Sequence, residues 1–190
     1  MDILQGVLLS KGTALTRNDT ITAPMGFAAG SASASIKTTG KPDVGVLAAS
    51  ELCSAAAVFT RNRFCGAPVI VGREHVRSGR LRAIVVNSGC SNVATGNRGV
   101  NDAREMCRQV ASLIGARETD VLPSSTGVIG VFLPMTKVRA GIDQAVAALS
   151  SSAAAGRGFA RAIMTTDTKI KQVCERFRIG KTRYTIAGCC

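Results

Sequence analysis

A chain of 190 residues, 46% of them hydrophobic, is long enough to bury a sizeable core without depending on disulfides and falls in the range of one large domain or one and a half. Aromatics are only 4% and Trp is absent, so that core must be built from small residues whose backbones approach one another closely. Twenty-four Lys and Arg against twelve Asp and Glu give a formal charge of +12. The basic residues stand singly or in pairs (Arg61, Arg63, Arg80, Arg82, Lys169, Lys171), with few aromatics between them for base stacking. That pattern argues against a nucleic-acid groove and for a solvated basic surface able to hold an acidic partner chain.

No apolar run reaches the roughly eighteen residues of a membrane span, and Met1-Asp2-Ile3-Leu4-Gln5 lacks the basic start of a secretory signal. A cytoplasmic protein without membrane contact is expected. Seven cysteines at irregular spacings read as reduced, mostly buried core residues. A single His75 and no Cys pair at finger spacing, apart from adjacent Cys189-Cys190, provide no metal site. Gly96 and Gly99 read as turn glycines, because neither a phosphate-loop lysine nor a dinucleotide fingerprint accompanies them. Neither a metal nor another cofactor is expected.

Along the chain, residues 1–20 lack periodicity and read as a loosely ordered arm, with ordered structure from 21 to 190. Ser31-Ala32-Ser33-Ala34-Ser35 alternates like a strand within Gly26–Lys37, and Gly40-Lys41-Pro42 marks a turn. Short apolar runs at Val44–Ala49, Ala55–Phe59, Pro68–Val71 and Ala83–Val86 predict buried strands. From Asn101 to Gly115 the period changes: Ala103, Met106, Cys107, Val110, Leu113 and Ile114 share a helical face, with Asn101 or Asp102 as cap and Gly115 as stop. A small-residue turn, Ser124-Ser125-Thr126-Gly127, then precedes a second amphipathic helix through Val138, Ile142, Ala145, Val146 and Leu149. Ser150–Gly158 is flexible in composition, and Lys171–Ile186 alternates about Gly180-Lys181 as a hairpin. The order predicts an α/β (α+β layered) domain.

Two kinds of residue could carry chemistry. Cys65 and His75 are ten residues apart, a spacing that does not by itself bring them together as a nucleophile pair. Ser88-Gly89-Cys90 and Ser124–Gly127 place small hydroxyls beside glycine, where backbone N–H groups can point at a developing negative charge. The same residue types are equally at home in ordinary tight turns.

Six segments occur together and in order: Thr22-Ala23-Pro24-Met25-Gly26-Phe27, Val58-Phe59-Thr60-Arg61-Asn62, Ala67-Pro68-Val69-Ile70-Val71, Arg82-Ala83-Ile84-Val85-Val86-Asn87-Ser88-Gly89, Ser125-Thr126-Gly127-Val128-Ile129-Gly130 and Ala162-Ile163-Met164-Thr165-Thr166-Asp167-Thr168. In that register the chain resembles the ornithine acetyltransferases over Ile21 to Cys190. The resemblance implies a sandwich of sheets and helices like that of N-terminal-nucleophile hydrolases, incomplete at its C-terminus. It also implies acetyl transfer from N-acetylornithine to glutamate through a threonine freed by self-cleavage, with acetyl-CoA as a further donor in some members. Thr126 and Gly127 would form the oxyanion hole and Thr165 would contact substrate. The family's nucleophilic threonine and substrate-binding lysine have no counterpart before Cys190. Residues 21–190 would then be an acetyltransferase portion ending before the cleavage site. Its partner would be the C-terminal (β-chain-like) half in a hetero-oligomer, and alone it would be inactive. The alternative is a non-catalytic, partner-binding subunit with a basic surface.

Overall fold

The computed structural model describes residues 20–190. The expected arm therefore lies outside the described residues except for Thr20. Four strands form one sheet: β1 (Phe27–Ala32), β2 (Val44–Ser54), β3 (Arg80–Cys90) and β4 (Val121–Val128), in the order β1-β2-β3-β4. β2 pairs antiparallel with β1 and with β3, whereas β4 runs parallel to β3. A parallel pair needs a long crossover. The crossover is α2 (Gly96–Ile114), and α1 (Ala67–His75), α3 (Met135–Ala147) and α4 (Ala153–Ala162) complete the helices. A separate antiparallel hairpin, β5 (Gln172–Ile179) and β6 (Thr182–Cys189), turns at Gly180-Lys181 as the alternation predicts.

Strand alternation distributes side chains between the two faces of the sheet. Val44, Val46, Val85 and Val121 meet Val71 of α1, Met106 and Val110 of α2, and Val138 and Ile142 of α3, all of them buried. On the other face Ala29 and Val86 pack with Phe159 of α4, flanked by Leu47 and Ile84. The layers are close because the residues are small. A Cβ built on Gly30 would lie 1.9 Å from the Ala145 carbonyl oxygen of α3. Gly30→Ala is therefore expected to cost about 1–3 kcal/mol through overpacking. Thermal melting checks it, and an unchanged midpoint would show that α3 can retreat without loss.

Several local expectations are overturned. Pro68–Val71 belongs to α1, where proline occupies the first turn without cost because its missing N–H would have had no helical partner. Ala55–Phe59 is irregular and Val58 fully exposed, although its composition resembles that of a buried strand. The alternation through Ser35 stops at Ala32, where β1 ends. α2 starts at Gly96, with Thr95 rather than Asn101 or Asp102 at its cap, so Gly96 and Gly99 lie in its first turn. Ser88–Cys90 and Ser124–Gly127 are strand residues, in register as Ser88 beside Thr126 and Gly89 beside Gly127. The flexible-looking Ser150–Gly158 contains the first turns of α4, capped by the Ser152 hydroxyl accepting from the Ala155 N–H. Cys90, Cys107 and Cys174 are buried, but Cys53, Cys65 and Cys189 are half-buried and Cys190 is exposed.

Candidate functional site

A cavity of about 1050 Å³ opens where four segments meet: the loop between β1 and β2, the C-terminal ends of β3 and β4, the end of α4, and residues 164–170 ahead of the hairpin. Thr126, Gly127 and Thr165 all line it, with Lys37, Gly89 and Arg161 among their neighbours. Residues far apart in sequence are thus assembled around one cavity.

The β1–β2 loop owes its shape to Asp43. Its fully buried carboxylate accepts from the N–H groups of Ala34 (2.7 Å), Ile36 (2.7 Å) and Lys37 (3.0 Å). Three charge-assisted bonds to one anion wrap the loop around it. Lys37 then ties this loop to the segment after α4, its ammonium donating to the carbonyls of Pro42 (2.9 Å) and Met164 (2.8 Å). Burial draws the Lys37 pKa below its ordinary value, opposed by the Asp43 charge and assisted by Lys41.

The ends of β3 and β4 line the cavity beside this loop, where a Cβ on Gly89 would lie 3.2 Å from Lys37 Cγ. Ser125 donates its hydroxyl to Asn87 Oδ1 at 2.6 Å, Asn87 donates to the Cys90 carbonyl at 2.9 Å, and Ser88 donates to the carbonyl of Ala162. These bonds brace the strand ends against each other and against α4. Gly127 has φ +133, and a Cβ there would lie 2.3 Å from the Gly89 carbonyl carbon. Only glycine permits this approach, which leaves bare backbone at the cavity. Among the described residues the Thr126 hydroxyl has no hydrogen-bond partner, so it is available to a ligand.

Thr165 is exposed in the segment after α4, where its N–H donates to Asp167 Oδ2 at 3.3 Å. Asp167 also accepts from Lys171, and that bond chiefly holds its carboxyl below the usual range. The lining as a whole combines hydroxyls, two amines, a guanidinium and one carboxylate. Such a donor-rich wall suits binding of an anionic group and stabilisation of negative charge. The Cys65 and His75 pair does not form. His75 is buried with Nδ1 on the Val121 carbonyl (2.7 Å) and Nε2 3.9 Å from Glu118.

Residues 28–190 match the family model described as the ArgJ family. The chain belongs to the ArgJ family. It is 46% identical over 163 residues to the arginine biosynthesis bifunctional protein ArgJ of Methylococcus capsulatus, covering 86% of this chain and 39% of that protein. With the protein of the same name from Symbiobacterium thermophilum it shares 48% identity over 170 residues, 88% of this chain and 42% of the relative. The chain thus spans about two-fifths of the length of these curated relatives. Among solved structures, the ArgJ of Bacillus halodurans superposes with TM-score 0.86 at 34% identity, over 90% of this chain and 88% of that one. The ornithine acetyltransferase of Mycobacterium tuberculosis complexed with ornithine gives 0.83 and 34%, over 90% and 91%. The fold is therefore that of these ArgJ structures, as the order of the six segments implies.

Within this ArgJ chain, local reading marks Gly89, Thr126 and Gly127, the resemblance alone marks Thr165, and neither marks Lys37 or Arg161. Ile36-Lys37 carries no periodic signal, and the nearby Gly40-Lys41-Pro42 stands out only as a turn. The charge of Lys37, placed in a small-residue stretch, was the one available cue.

Proposed function

We propose that this chain is the N-terminal, α-chain-like portion of an enzyme that moves the acetyl group of N2-acetyl-L-ornithine to L-glutamate in arginine biosynthesis. The observation that carries the reading is the convergence of Thr126, Gly127 and Thr165 on one donor-rich cavity. It favours an enzymatic portion over a purely partner-binding subunit. The ornithine bound in the Mycobacterium tuberculosis neighbour supports the substrate class. The word "bifunctional" in the relatives' names supports acetyl-CoA as a second donor. Seven free cysteines support a reducing, cytoplasmic setting.

In this reading a threonine hydroxyl, from the β-chain-like part of the enzyme that pairs with this chain, adds to the acetyl carbonyl carbon. Its proton passes to a base and the carbonyl oxygen becomes an oxyanion. The Thr126 hydroxyl and the Gly127 N–H donate to that oxygen, where charge develops in the transition state. Collapse breaks the C–N bond, the ornithine nitrogen takes up a proton and leaves, and the enzyme retains the acetyl group as an ester. The glutamate amine then attacks the ester through a second oxyanion in the same hole, which yields N-acetylglutamate and restores the threonine. Thr165 holds the substrate beside the hole.

Ornithine release tests the reading. The 190-residue chain alone is expected to release none from N-acetylornithine, whereas the chain continuous with the remaining three-fifths of a family enzyme releases it in proportion to added glutamate. A completed enzyme that left N-acetylornithine and glutamate unchanged would overturn the assignment.

A further inference from the structure

An ammonium has three N–H donors and no acceptor. Two of those of Lys37 are placed, on the Pro42 and Met164 carbonyls, which hold the group in one orientation on the cavity wall. The third has no acceptor among the described residues. Asp43 is the neighbouring anion, but its carboxylate accepts from the backbone N–H groups of Ala34, Ile36 and Lys37 and not from the ammonium. It attracts the ammonium without accepting from it. The result is a half-buried cation with a free donor, in a cavity that the backbone and hydroxyl groups of the strand ends also line.

We propose that Lys37 takes the carboxylate of the amino-acid ligand in this cavity on its unused N–H. The proposal rests on the acetyl-transfer reading above and adds to it the recognition of the ligand's anionic end. The Met164 carbonyl that orients the ammonium immediately precedes Thr165, so one tie places both the carboxylate contact and the Thr165 contact. Lys41 and Arg161 also line the cavity, but both are exposed, where water and salt weaken a single charge.

The test compares two ligands that differ in one group, N2-acetyl-L-ornithine and N1-acetylputrescine, which lacks the carboxylate. Their affinities are measured by calorimetry on the 190-residue chain and again on the full-length enzyme with its nucleophile replaced by alanine. The Nζ resonance of Lys37 is followed in lysine labelled with nitrogen-15. Wild type is expected to favour N-acetylornithine by about tenfold or more, the range of one charge-assisted bond, and the Lys37 resonance should move with that ligand alone. Lys37→Met should abolish the preference, Lys37→Arg should retain part of it, and Lys41→Met and Arg161→Met should leave it intact. A preference that survives Lys37→Met, or that disappears in Lys41→Met or Arg161→Met instead, overturns the proposal and leaves the acetyl-transfer reading standing. Equal binding of both ligands by wild type has the same meaning. Binding of neither ligand to the full-length protein would remove the substrate assignment and this proposal together.

Discussion

In the full-length enzyme Thr126→Val lowers turnover by about 10²-fold or more, with the fold and the Michaelis constant little changed. Valine matches threonine in shape and removes only the hydroxyl, which has no partner among the described residues and so takes no part in holding β4 together. A loss confined to turnover means that the bond is made in the transition state. If the completed enzyme also cleaves itself, as the resemblance implies, that step should slow as well, because it passes through a similar oxyanion. Thr165→Ala, the companion variant, is expected to raise the Michaelis constant more than it lowers turnover, as suits a ground-state contact. Steady-state kinetics on both variants separates the roles. A fully active Thr126→Val enzyme would remove the oxyanion assignment.

Asp43→Ala should produce the largest loss of stability, about 3–5 kcal/mol, measured by urea denaturation. The wild-type carboxylate satisfies three N–H groups at once, and alanine leaves all three without an acceptor where water enters poorly. Asp43→Asn keeps one carbonyl oxygen and should lose roughly half as much, so the effect stays measurable if the alanine variant fails to fold. The damage should spread to the cavity, since Lys37 is placed by the same loop. Equal stability of wild type and Asp43→Ala would show that the loop holds its shape by other means.

Much of the architecture was legible residue by residue. The apolar face through Met106 and Val110 announced α2, and alternation about Gly180-Lys181 announced the hairpin. Val44–Ala49 and Ala83–Val86 read correctly as strands because β-branched residues and alanine fill a sheet covered on both faces. Pro68–Val71 misled because four apolar residues cannot separate a helical turn from a short strand. Ser124–Gly127 misled because small hydroxyl residues beside glycine are typical of turns, while here the same smallness lets β4 approach Gly89.

The sequence by itself determined the class of the core, the main periodic elements and, through six segments in order, the family. Those properties are local or additive along the chain, so they survive without coordinates. Only the tertiary structure decided that Thr126, Gly127 and Thr165 share one cavity. It also decided that Lys37 is bound to a carbonyl 127 residues away. A hydrogen bond between distant segments leaves no period and no spacing in the chain; it exists only once the sheet, α4 and the Asp43 loop have packed around the same space.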